Sequence, residues 1–325
     1  MDRTKAAAIV CVVCIHVFEI GARRDLIGQL GAAATLWAVP AFLFVSGFLH
    51  SRVTPYLPGQ FFHWFRRLLP TYAVATCLAL LYRRYELQQP VGVRDVVVAF
   101  FAGSGWGIYY FVPILIGVLC VSVVLARYPK IVFVCAAIFL PALFVVRWKW
   151  GIDPMIARWG TFGMFRSPFF WWGYFIAGWV AAPVLRAHPE AGLGTKLVLA
   201  AMAVASIGAL YTTSGWQFSA TRALLLAGVP FVVILSVFVA SSRAPSGVIR
   251  RLSDDSYGIY LWHIFVADLV TRRFAMHHAG IVPGAALAAL AILCAIAAER
   301  LTGRLLAAVS AGRGLRERST PSSEA

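Results

Sequence analysis

At 325 residues, the chain is 61% hydrophobic and only 13% charged, with a mean hydropathy of +0.79, whereas ordinary soluble domains carry about 25% charged residues. This composition excludes a soluble globular protein, and no hydrophilic stretch is long enough for a second core, so we read one integral membrane domain over residues 1–310. The formal charge of +16 does not point to nucleic acid, because Lys and Arg fall mainly in short connections between apolar runs, where they set topology and meet anionic headgroups.

The first apolar run, residues 6–18, follows the charged start Asp2-Arg3-Thr4-Lys5 and contains an ionisable group, His16. From Lys5 to His16 is eleven residues, which a helix turns through about 1100°, or about 20° net. The two side chains share one stripe, with His16 about 16 Å further along the axis, or about half a bilayer deeper. An imidazole at that depth is costly unless it has a partner or a task, so His16 is a functional candidate. Cys11 and Cys14 do not join it in a metal site, because they lie about 140° and 160° away around the helix. All six cysteines fall in apolar runs and are read as small hydrophobes, with no metal expected. The segment has no small-x-small cleavage site and is interrupted by His16 and Glu19, so a spanning helix is expected rather than a signal peptide.

Further runs of spanning length are centred on residues 29–50, 68–82, 107–126, 131–146, 168–185, 196–213, 221–240, 256–270 and 281–301, giving ten predicted helices. Residues 96–102 form a shorter apolar piece, read as re-entrant or interfacial. The basic residues of the connections favour both termini on the cytoplasmic side, as expected for a multi-pass protein of the plasma or inner membrane. Residues 311–325, rich in Gly, Arg, Ser and Pro, are read as a disordered cytoplasmic tail.

Several polar groups accompany His16. Glu19 lies nearly one turn on, either as a partner that fixes the imidazole tautomer or as an interfacial carboxylate near Arg23. Lys5, Arg66 and Arg67 gather at the cytoplasmic face, as phosphate contacts or as headgroup anchors. In the ninth run, Tyr260, His263 and Asp268 are supporting candidates; His263 is read either as a second functional imidazole or as an interface residue. Ser46-Gly47 is assigned to close helix approach rather than chemistry. The aromatic clusters near 106–110, 148–150 and 169–172 read as an interfacial belt, or as flat rings for a sugar.

Four stretches, in order, carry a resemblance. Asp2-x-x-Lys5 followed after ten residues by His16 is similar to the opening motif of the membrane-bound acyltransferase 3 family, in which many members have Arg in place of Lys5. Val39-Pro-Ala-Phe-Leu-Phe-Val-Ser46-Gly47-Phe48 resembles that family's second helix, and Arg67-Leu-Leu-Pro70 the basic entry to its third. Leu252-Ser-Asp-Asp-Ser256-Tyr-Gly258-Ile-Tyr260-Leu-Trp262-His263 resembles the signature of its ninth. Members often carry Arg-x-x-Arg before the proline, where this chain has Trp64 and then Arg66-Arg67.

The resemblance implies an all-α membrane enzyme that moves an acyl group, most plausibly acetyl, from acyl-CoA to a hydroxyl of a saccharide or glycolipid. Acyl-CoA would be a co-substrate, with no resident cofactor. A hydroxyl needs a base to attack a thioester, and imidazole, with an ordinary pKa of about 6.5, is mostly neutral near pH 7. The implied roles are His16 as general base with Glu19 beside it, and Lys5, Arg66 and Arg67 toward acyl-CoA. The competing class is a transporter or flippase for a glycan or lipid precursor with His16 and Asp268 as proton relays. It is disfavoured by the lack of paired broken helices.

Overall fold

The computed structural model describes residues 1–20, 35, 37–51, 58–152, 167–187, 192–212, 220–240, 246–273 and 281–318, which are almost wholly helical, with no strand among them. In chain order the helices are α1 (Asp2–Ile20), α2 (Ala38–His50), α3 (Pro58–Tyr85), α4 (Val93–Ala102), α5 (Phe111–Arg127) and α6 (Ile131–Ile152). They continue with α7 (Pro168–Ala187), α8 (Leu193–Thr212), α9 (Ala220–Ala240), α10 (Gly247–Asp254), α11 (Ser256–Arg273) and α12 (Ile281–Arg318). A 3-10 turn, Gly107–Tyr110, leads into α5.

Each expected apolar run coincides with a helix, except that most of residues 21–36 in and before the second run lie outside the described residues. The short piece near 96–102 is the ten-residue α4, about 15 Å long and thus half a bilayer. It stops at Gly103, whose φ of 67° is left-handed and whose added Cβ would lie 2.3 Å from the Tyr109 carbonyl oxygen. The α10 helix was not anticipated, since it is polar and only eight residues long; Ser246 caps it through its hydroxyl, which accepts from the Ile249 amide. The C-terminal end of α12 reaches into the segment read as a tail from composition, and 319–325 lie outside the described residues.

Two segments, residues 108–127 and 283–308, are long and apolar enough by themselves to cross a membrane, and shorter apolar helices cover 38–50, 131–146, 193–209 and 225–237. Large apolar side chains point outward on several of these: Phe133 is 70% exposed, Val204 72% and Leu293 66%. Water would penalise that surface, whereas lipid accommodates it. Prolines 70, 141, 183 and 230 sit within helices, which membrane helices tolerate when neighbouring groups satisfy the freed carbonyls.

The interior is organised around α1, which packs against α2, α10, α11 and α12. Its apolar residues Ala8, Ile9, Val12 and Val13 are almost completely buried, as befits a helix surrounded by others. The most extensive pairing is α2 with α7. There Gly47 and Gly178 meet the opposite backbone: an added Cβ would stand 1.9 Å from the Phe175 carbonyl oxygen and 2.0 Å from that of Phe44, respectively. This is the small-residue approach expected for Ser46-Gly47, repeated from both sides. Arg186 then closes the end of α2, donating to the Phe48 carbonyl at 2.6 Å and the Ser51 hydroxyl at 2.7 Å, with its guanidinium over the Phe48 ring.

Candidate active site

Two helices bring the ionisable groups together. At one end Ser253, in the last turn of α10, donates to Asp2 Oδ1 at 3.0 Å, so the Asp2 of the opening motif ties α1 to the α10–α11 corner. Further along, on α1 and α11, the His16 and His263 rings are neighbours, with centroids 5.4 Å apart and planes inclined by 33°. Along the chain His263 follows Ser253 as His16 follows Asp2. His263 lies seven residues beyond Ser256, about 10 Å into α11.

His263 is completely buried rather than exposed at a surface. Its Nδ1 lies 2.9 Å from the Ile259 carbonyl oxygen, and Nε2 is buried with no hydrogen-bond partner among the described residues. The Tyr260 ring stands 6.2 Å from His263, and its hydroxyl donates to the Ile108 carbonyl, fixing α11 against the 3-10 turn. Tyr109 returns the interaction, donating to the Leu261 carbonyl at 2.8 Å. These reciprocal bonds immobilise the backbone on either side of the imidazole pair.

A cavity of about 240 Å³ lies beside Tyr260, with Lys5 and Asp254 among the residues that line it. Lys5, Asp254, Ser46, Ser256 and His50 supply its polar lining; Phe42, Trp64, Leu68, Phe111, Leu115, Leu119, Tyr257 and Tyr260 supply its apolar walls. The His50 ring meets Trp64 edge-on at 4.0 Å, while its Nδ1 donates to the Ser46 carbonyl. Tyr257 donates to the Leu68 carbonyl at 3.0 Å, holding α3 against α11. His16 is not among the lining residues; it adjoins His263, whose ring centroid lies 6.2 Å from that of the cavity-lining Tyr260.

The remaining candidates separate. Lys5 is half-buried and lines the cavity; Arg66 is exposed on α3 and is not among the residues along it. Arg67 and Glu19 hold helical positions in α3 and α1, and their side chains lie outside the described residues. Asp268 is at the opposite end of α11, where it accepts from the Tyr82 hydroxyl at 2.6 Å and pairs with Arg272 at 2.8 Å. It is thus engaged in an ion pair about 18 Å along the helix from Ser256 rather than at the cavity. Sequence reasoning missed Trp64, His50 and Asp254 as cavity residues and Arg186 as a helix cap. Of these, only Trp64 had a signal, as an aromatic residue in an expected arginine position. Among the described residues no group of three or more His, Cys, Asp or Glu is placed to hold a metal ion.

An all-helical membrane protein with an imidazole pair between α1 and α11, near a cavity lined by both polar and apolar side chains, is the class that fold and site define. The chain belongs to the acyltransferase 3 family, whose model, described as an acyltransferase domain, matches residues 1–300. Membership makes it a membrane-bound acyltransferase acting on groups other than aminoacyl groups. No curated protein and no solved structure matches the chain at a significant level.

Proposed function

We propose that the protein transfers a short acyl group, acetyl in the simplest case, from acyl-CoA to a hydroxyl of a saccharide or glycolipid, with ten membrane-crossing helices and His16 as general base. The observation that carries this reading is the His16–His263 pair, with ring centroids 5.4 Å apart, on the two helices that also carry the cavity-lining Lys5 and Tyr260. The cavity volume of about 240 Å³ is below the roughly 300–1,000 Å³ of ordinary small-molecule sites. It suits an extended acyl-pantetheine arm whose nucleotide stays at the mouth. Lys5 would meet a phosphate there as a point charge, and Trp64 offers a flat ring beside it.

In the reaction, the His16 imidazole takes the acceptor's proton as its oxygen attacks the thioester carbonyl, and CoA leaves as the thiol once the tetrahedral intermediate collapses. Direct attack is preferred over an acyl-protein intermediate, because Cys11 and Cys14 point away from His16 around the helix. The test is to incubate the purified protein with isotope-labelled acetyl-CoA and a glycan extract. Expected is release of free CoA together with labelled acetyl on a saccharide, identified by mass. Gradient-driven uptake of the glycan without thioester turnover would establish the transporter instead.

A further inference from the structure

We propose that His263 is a positioning residue for His16: its ring accepts a hydrogen bond from the His16 N–H at Nε2, and so fixes which His16 nitrogen is left as the base. The inference rests on the proposed role of His16 and deepens it.

The argument begins with a carbonyl. Ile259 O accepts hydrogen bonds and cannot donate them, so the His263 Nδ1 that lies 2.9 Å away carries the proton. In a neutral imidazole that leaves Nε2 as a bare acceptor. Nε2 is buried and has no hydrogen-bond partner among the described residues, on a ring with no solvent exposure. A buried acceptor without a donor is costly and calls for a partner. The ring beside it is His16, at a centroid distance of 5.4 Å. Two imidazoles joined edge to edge by one N–H···N bond stand with centroids about 5 Å apart, close to the separation of this pair. Catalytic hydrogen bonds are often long before substrate binds and tighten in the complex.

The consequence concerns the proton. His16 has two ring nitrogens, and only the one without hydrogen can receive the acceptor's proton. A hydrogen bond from its other nitrogen to His263 selects one tautomer and one ring orientation, as a carboxylate does in hydrolase triads. The acceptor here is neutral, as an apolar core requires, and it sits on a backbone held by the Tyr260–Ile108 and Tyr109–Leu261 bonds. When His16 takes the proton it becomes imidazolium, and the His263 lone pair then stabilises the charge at the nitrogen it already holds. No atom is transferred to His263, and the proton leaves His16 to the departing thiolate.

Three full-length variants in lipid nanodiscs test this. His263→Leu removes the acceptor at similar bulk; His263→Gln restores a carbonyl oxygen at the reach of Nε2; His16→Gln removes the base. For folded protein, with unfolding midpoints near wild type, we expect His263→Leu to lower kcat about 10–100-fold with KM for acyl-CoA little changed, the range typical of partners that orient a reacting group. His263→Gln should recover at least about tenfold of that loss, and His16→Gln should lose more than either. A folded His263→Leu with wild-type kcat, a Gln variant no better than Leu, or His16→Gln retaining activity that His263 variants abolish would each overturn the proposal.

A second measurement does not depend on activity. In protein labelled with ¹⁵N-histidine, the His263 ring signals are those missing from the His263→Gln spectrum. Expected are a protonated Nδ1 and an unprotonated Nε2 coupled through a hydrogen bond to a His16 nitrogen. A protonated Nε2 would overturn the pairing even in an active enzyme. Wild-type protein that forms the coupled pair but turns over no acyl-CoA would instead overturn the proposed function and leave the pair standing.

Discussion

His16 is the residue at which the sequence reading and the structure meet most directly. Its depth and its stripe shared with Lys5 follow from helical periodicity alone, because both residues lie on one uninterrupted helix. Its partner does not follow, since His263 is 247 residues away and periodicity says nothing about which helices become neighbours. The same limit hid Arg186, whose cap on α2 joins residues 138 positions apart. Lys5 gives the prediction at this scale. Lys5→Met should raise KM for acyl-CoA about tenfold or more while kcat moves little, since a hydrogen bond to a charged group contributes about 1.5–3 kcal/mol. Lys5→Arg should keep the wild-type KM within a few-fold, because a fork can still meet a phosphate. Donor saturation curves decide it; an unchanged KM in Lys5→Met would remove Lys5 from the donor site.

At the scale of elements, the helices were legible because apolar runs of spanning length are the strongest pattern a chain carries. The polar α10 lay outside that signal, and its amphipathic eight residues belong to the corner that Asp2 grips. Close approach at Gly47 was legible from the small pair Ser46-Gly47, but its counterpart Gly178 was not, because one glycine names no partner. The α2–α7 crossing depends on both. Gly47→Ala and Gly178→Ala each place a methyl about 2 Å from a carbonyl oxygen, and backbone cannot yield as a side chain tip does. Each should destabilise the protein by about 1–3 kcal/mol or more, lowering its unfolding temperature in detergent. By contrast Gly194→Ala, with nothing within 4 Å of its added Cβ, should leave it unchanged. Equal midpoints for the three would show that the crossing is looser than described.

Across the whole molecule, the two ends of the bundle differ in chemistry. The end marked by Asp2, Lys5 and Asp254 holds the cavity, while the end marked by Tyr82, Asp268 and Arg272 is tied by an ion pair. The basic connections of the sequence favour the cytoplasm for the first, the topology we propose. In a cysteine-free background, Gly194→Cys should then react with an impermeant maleimide only from the cytoplasmic face, and Gln89→Cys only from the outer face. Labelling of both from one side would overturn the topology. That arrangement, together with the imidazole pair near the cavity, makes acyl transfer with His16 as base the central claim. It is tested most directly by the initial rate of CoA release from acetyl-CoA, with a saturating glycan acceptor, in folded wild-type and His16→Gln protein. We expect His16→Gln to be slower by about 100-fold or more, with its affinity for acetyl-CoA preserved; a rate within about twofold of wild type would contradict the assignment.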